Sequence, residues 1–150
     1  MSLNSNSMNG LRLSMNEFMD ANYPSYTIVY DENFAEPEVF SSGAKWITPV
    51  YGPGPVDPTN PVKQIEFFLY CFSKGDAEGL ELTEMLDTVI KSFVDATVPD
   101  GRKRIPFFVV DNGTRVQVST IIASDIQLER AYRLGDSTSA QTIKMFLTWC

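Results

Sequence analysis

Hydrophobic and polar positions along the chain change period several times, and each change marks an element. Met8, Leu11, Met15, Phe18 and Met19 recur at helical spacing, which predicts an amphipathic helix over residues 6–22, ended by Pro24. Gly10 lowers its propensity. Residues 26–30, Tyr-Thr-Ile-Val-Tyr, predict a strand. A loop over 31–44 carries Phe34, Val39 and Phe40 among polar residues. These three either tuck back onto the domain or anchor a neighbour. Residues 45–51 predict a second strand, with Trp46, Thr48 and Val50 on one side. Residues 52–61 hold four prolines. Proline lacks the N–H that a ladder needs, so this stretch is an excursion outside the sheet.

Residues 62–72 form the strongest strand. Ile65, Phe67, Leu69 and Cys71 line one face. Gln64, Glu66, Phe68, Tyr70 and Phe72 line the other, which turns from polar to aromatic along its length. A solvated face would not hold three aromatic residues in one register, so either another segment or another subunit covers it. Residues 78–94 predict a second helix. Its apolar stripe is Leu82, Met85, Leu86, Val89, Ile90, Phe93 and Val94, and Glu81, Glu84, Asp87, Lys91 and Asp95 lie opposite. The acidic stripe reads first as a solvated face and second as a docking surface. Asn112-Gly113 marks a tight hairpin turn, pairing Val109 with Val116 and Phe107 with Val118. Pro106 makes the first arm an edge strand. The second arm runs on through Ile121 and Ile122 towards Ile126. Residues 132–140 read as a polar connection. Ile143, Met145, Leu147 and Trp149 alternate with Thr142, Lys144, Phe146 and Thr148 in a closing strand. The expected fold is α+β: a mixed, mainly antiparallel sheet with two helices packed on one face, in the order helix, strands, helix, hairpin, strand.

Composition adds limits. The chain has 150 residues, the usual size of a single domain, here 1–150. The net charge of −7 opposes DNA and anionic membranes, so neither specific nucleic-acid binding nor a membrane partner is expected. The basic cluster Arg102-Lys103-Arg104 reads as a solvated turn. Cys71 sits in an apolar run and behaves as a small hydrophobe. It and Cys150, far apart in sequence, suggest no disulfide framework. No apolar run approaches a membrane span, and residues 1–22 lack the pattern of a signal peptide.

Candidate chemistry is sparse. With no histidine in the chain, the commonest general base and metal ligand is missing. Gly135-Asp136-Ser137 is similar to the nucleophile block of a lipase family, but a triad needs a base that this chain does not supply. Gly75-Asp76-Ala77-Glu78-Gly79 lies between strand and helix, where a phosphate loop would, yet carries two acids and no following lysine. No catalytic, cofactor or metal site is expected, and no enzyme.

The strand of residues 64–72, the glycine turn Ser73-Lys74-Gly75-Asp76-Ala77-Glu78-Gly79 and the helix of residues 80–93 together resemble the core of the tail terminator proteins (minor tail, tail completion) of long-tailed phages and prophages. Trp46 with the Pro-rich loop after it, and the closing strand, fit that order of elements. The resemblance implies a structural virion protein, assembled in the bacterial cytoplasm. It would form a ring, commonly six-fold, on the end of the tail tube, with the tube protein and a head-connector protein as partners. Contacts are expected at Phe34, Phe40, Phe68, Tyr70, Phe72 and Pro106. A different reading makes the chain a small non-enzymatic module that holds a peptide or ligand with the Pro-rich and Phe34–Phe40 loops.

Overall fold

A computed structural model describes residues 8–30, 40–54, 59–134 and 137–150. The fold is α+β and mostly sheet. Its elements are α1 (Met8–Asn22), β1 (Thr27–Ile28), β2 (Lys45–Tyr51), β3 (Lys63–Lys74), α2 (Leu80–Ser92), β4 (Ile105–Asp111), β5 (Thr114–Leu128), β6 (Tyr132–Leu134) and β7 (Thr138–Trp149). The seven strands form one mixed sheet in the order β1-β2-β3-β7-β5-β4, with β6 paired beside β7. Only β1 and β2 run parallel; the other pairs are antiparallel.

The closing strand is the centre of the sheet. β7 pairs with β3 from Lys63↔Trp149 to Lys74↔Thr138, and with β5 along its other side. Alternation then sends Ile65, Phe67, Leu69 and Cys71 of β3, and Ile143, Met145, Leu147 and Trp149 of β7, into one buried cluster. Leu11, Met15, Phe18 and Met19 of α1 and Leu82, Met85, Leu86 and Val89 of α2 belong to the same cluster. Removing such side chains from water is worth about 1.5–3 kcal/mol each, and this is what holds a two-sided ladder of polar backbone in place. The acids Glu81, Glu84 and Asp87 are all exposed, as the helical period demands. Asp76, buried before α2, caps it from outside the helix: its Oδ2 accepts a hydrogen bond from the Leu82 N–H at 2.8 Å.

Five expectations change. Val94, expected in the apolar stripe of the second helix, lies beyond the end of α2 and is exposed. Met8 is exposed, so the apolar face of α1 starts at Leu11. The strand at 26–30 pairs only through Thr27–Ile28, and Val29 N–H reaches Ile47 C=O beyond it. Residues 132–134 and 138–140 are strand rather than connection. They hold β6 and the start of β7, because Thr138, Ser139 and Ala140 are buried beside Lys74, Ser73 and Phe72 of β3. The hairpin keeps Val109↔Val116, but a β-bulge sets Phe107 opposite Ser119, leaving Val118 as the extra residue. Its turn is as expected: Asn112 and Gly113 both have positive φ, 52° and 77°, the type I′ geometry that matches the twist of the arms.

Gly10 matters for packing rather than propensity. It is buried where α1 crosses β4, and a Cβ there would stand 2.9 Å from the Phe108 carbonyl oxygen and 3.1 Å from the Phe107 ring. In an exposed helix Gly→Ala gains about 1 kcal/mol. Here the sign is expected to reverse: Gly10→Ala should destabilise by about 1–3 kcal/mol through overpacking against backbone. Chemical denaturation of the two proteins checks it, and a more stable alanine variant would refute the close approach.

Candidate subunit interface

The side chains of β3 that alternate with the core set divide in two. Phe72 is covered by its own chain: its ring stacks on Trp46 at 5.1 Å, and Phe40 stacks on the other side of Trp46 at 4.1 Å. Trp46, Phe72 and Ala140 form a small second cluster, with Val29, Tyr70 and Leu134 against it. The register explains this, since Trp46 lies directly opposite Phe72 and Phe72 opposite Ala140. Phe72 and Phe40 therefore make intramolecular contacts first, and Phe72 has almost no surface left for a neighbour. Phe34 lies outside the described residues.

Phe68 and Tyr70 are different. Both are half-buried, with ring centroids 6.3 Å apart. Phe68 rests against Gly52 at the start of the Pro-rich stretch, where a Cβ would come within 2.8 Å of its ring. Across the ladder, Glu66 faces Phe146 and Phe68 faces Lys144. Lys144 Nζ makes a half-exposed ion pair with Glu66 at 3.2 Å and lies 6.0 Å from the Phe146 ring. The result is a strip of Phe68, Tyr70 and Phe146 that stays partly wet, crossed by one ion pair. Such a surface suits a contact with an apolar centre and a polar border. Phe146 was not singled out in the sequence, although it sits in the same alternating register as Lys144.

Pro106 stands exposed on β4, the last strand of the sheet, as expected for an edge. The outer side of β4 is already occupied. Phe108 N–H donates to Ser14 Oγ at 2.8 Å, and Arg115 on the hairpin pairs with Glu17 of α1. Pro106 thus borders a shallow apolar groove of about 280 Å³ between α1 and β4, which includes Phe18, Ile105 and Phe108.

Among the described residues no group of three or more His, Cys, Asp or Glu converges on a point that could hold a metal ion. The recess of about 410 Å³ at the start of α2, beside Arg133 and Gln141, is open and contains Glu78. Arg133 there donates to the Ala77 carbonyl at 3.3 Å. Burial pushes the Cys71 thiol up to about 12, so it carries almost no thiolate at neutral pH and is inert. No helix among the described residues is long and apolar enough to cross a membrane.

No protein-family model matches the chain, and no curated protein matches it. A solved structure does superpose on it, with a TM-score of 0.55 at 9% sequence identity, covering 96% of this chain and 96% of its own. That likeness shows a shared fold over nearly the whole length, and at this identity it shows the fold alone.

Proposed function

We propose that the chain is a structural ring subunit of the tail terminator kind. It caps the end of a tail tube, stops the tube's growth and offers a surface to the head connector. It works in the virion after assembly in the bacterial cytoplasm and catalyses nothing. The observation that carries this reading is the strip of Phe68, Tyr70 and Phe146, apolar side chains that the chain's own packing leaves half-covered on well-paired central strands. In this reading both helices lie on one face of the sheet, in keeping with the residues they share with the core, and the half-covered strip on the other face, beside the small second cluster, meets copies and partners. The ring is built by a closing, head-to-tail contact. The acids along α2 stay solvated. The negative charge keeps the lumen from gripping passing DNA.

Size-exclusion chromatography with light scattering, over a range of concentration and salt and with purified tube and connector proteins, tests it. A discrete closed oligomer, alone or on a tube end, is expected. A strict monomer under every one of these conditions would overturn the ring. A monomer whose melting temperature rises with a proline-rich or apolar peptide would favour the binding-module reading instead.

A further inference from the structure

We infer that Asn112 is a site of spontaneous modification. Its side-chain amide is lost through attack by the next backbone nitrogen, leaving aspartate and isoaspartate at the tip of the β4–β5 hairpin. The fold holds the chain's other Asn-Gly pair, Asn9-Gly10, inert. The inference is independent of the ring reading.

Asparagine before glycine is open to this reaction because glycine has no side chain to shield its nitrogen. The Gly113 nitrogen gives up its proton to hydroxide or a buffer base and bonds to Asn112 Cγ. The bond from Cγ to the amide nitrogen breaks, and that nitrogen takes a proton from water and leaves as ammonia. Water then opens the cyclic imide at either of its carbonyls. One opening gives aspartate. The other routes the backbone through the side chain as isoaspartate.

Geometry decides which pair reacts. Attack needs the following nitrogen on the Cβ side of the backbone. In the type I′ turn at Asn112 it points the opposite way. A flip of the single peptide unit between Asn112 and Gly113 converts the turn to type II′, in which ψ of the first central residue is about −120°. At that angle the nitrogen eclipses Cβ and comes within reach of Cγ. Both turns close the same two-residue loop, so the flip leaves Asp111 beside Thr114 and the arms in register. Asn112 and Gly113 are exposed, and a Cβ on Gly113 would meet no atom of the described residues within 4 Å. Type II′ favours glycine where Asn112 stands, so the flipped turn is rare and the reaction slow.

Asn9-Gly10 has the same chemistry and lacks this freedom. Both residues lie in α1, where ψ is about −42° and turning the amide breaks the helical ladder. Gly10 is buried against β4, and its carbonyl accepts a hydrogen bond from Ser14 Oγ at 2.7 Å. The Phe108 carbonyl oxygen, 2.9 Å from where a Gly10 Cβ would stand, leaves that backbone little room to move.

The two products differ in effect. Aspartate keeps the turn, since it tolerates positive φ as asparagine does. Isoaspartate adds a carbon to a loop whose length sets the register. It strains the arms that bring Arg115 to Glu17 and the Phe108 N–H to Ser14.

Peptide mapping by mass spectrometry tests the site, with an isoaspartyl methyltransferase to count isoaspartate. The whole chain is aged at mildly alkaline pH and body temperature, folded and, in parallel, in guanidinium chloride. In denaturant the two pairs should lose their amides at similar rates. In the folded chain Asn112 should react at least about tenfold faster than Asn9. Aged protein enriched in isoaspartate should melt below the Asn112→Asp variant, which should match fresh wild type. Asn9 reacting as fast as Asn112 in the folded chain would overturn the inference. So would an Asn112 that stays intact while the denatured chain loses both amides, since the turn would then lock its peptide. Equal melting of the isoaspartate form and Asn112→Asp would refute the strain assigned to the rewired backbone.

Discussion

Phe67→Ala is expected to cost about 3–5 kcal/mol of stability, and the same truncation one residue later, Phe68→Ala, about 1 kcal/mol. The two rings are neighbours in sequence and opposites in the fold. Phe67 is fully buried on a strand paired on both sides, facing Met145 across the ladder and Tyr51 with ring centroids 4.9 Å apart. The strands on both sides hold β3 in place, so most of the cavity cost is expected to persist. Phe68 keeps part of its surface in water and touches Gly52 and Tyr70. Its loss is expected to appear in assembly rather than in folding. Urea denaturation of the two variants measures the first difference, and light scattering of the folded Phe68→Ala protein measures the second. Equal stabilities for the two would mean that β3 is not read in the right register. Unchanged assembly of Phe68→Ala would remove the aromatic strip from the interface.

Local pattern made some of this legible and non-local pairing hid the rest. β2 is found at its expected residues because Lys45–Tyr51 alternates and is closed off by Gly52-Pro53. The buried stripe of α2 is legible because acids mark the wet side over three turns. The hairpin turn is legible because Asn-Gly admits two successive positive φ angles. What alternation cannot tell is which strand lies beside which. The placing of β7 beside β3 depends on contacts between distant residues, from Lys74↔Thr138 to Lys63↔Trp149. The same cause hides the start of β7. Thr138 and Ser139 look like loop residues until Lys74 and Ser73 are set beside them. The bulge at Val118 is hidden as well, since one extra residue leaves no mark on hydrophobic periodicity. At the candidate site, alternation separated Phe68, Tyr70 and Phe72 from the core residues of β3. It could not show that Phe72 alone meets Trp46, because that follows from the register of β2 against β3.

The second prediction concerns that meeting. Trp46→Ala is expected to destabilise the chain by about 3–5 kcal/mol, and Trp46→Phe by no more than about 1.5 kcal/mol. Trp46 is fully buried and stands between two rings, Phe40 at 4.1 Å and Phe72 at 5.1 Å, both nearly parallel to it. A phenylalanine keeps both stacking contacts. It also loses no hydrogen bond, because the indole Nε1 is buried with no hydrogen-bond partner. Shedding an unpaired buried donor offsets part of the packing lost with the larger ring. Alanine removes the central plate of the stack, opens Phe72 to water and leaves Phe40 without its stacking partner. Thermal unfolding of both variants separates the outcomes. If alanine cost as little as phenylalanine, Phe72 would be free for a neighbour after all, and the division drawn here between Phe72, held by its own chain, and Phe68 and Tyr70, left for another, would fail.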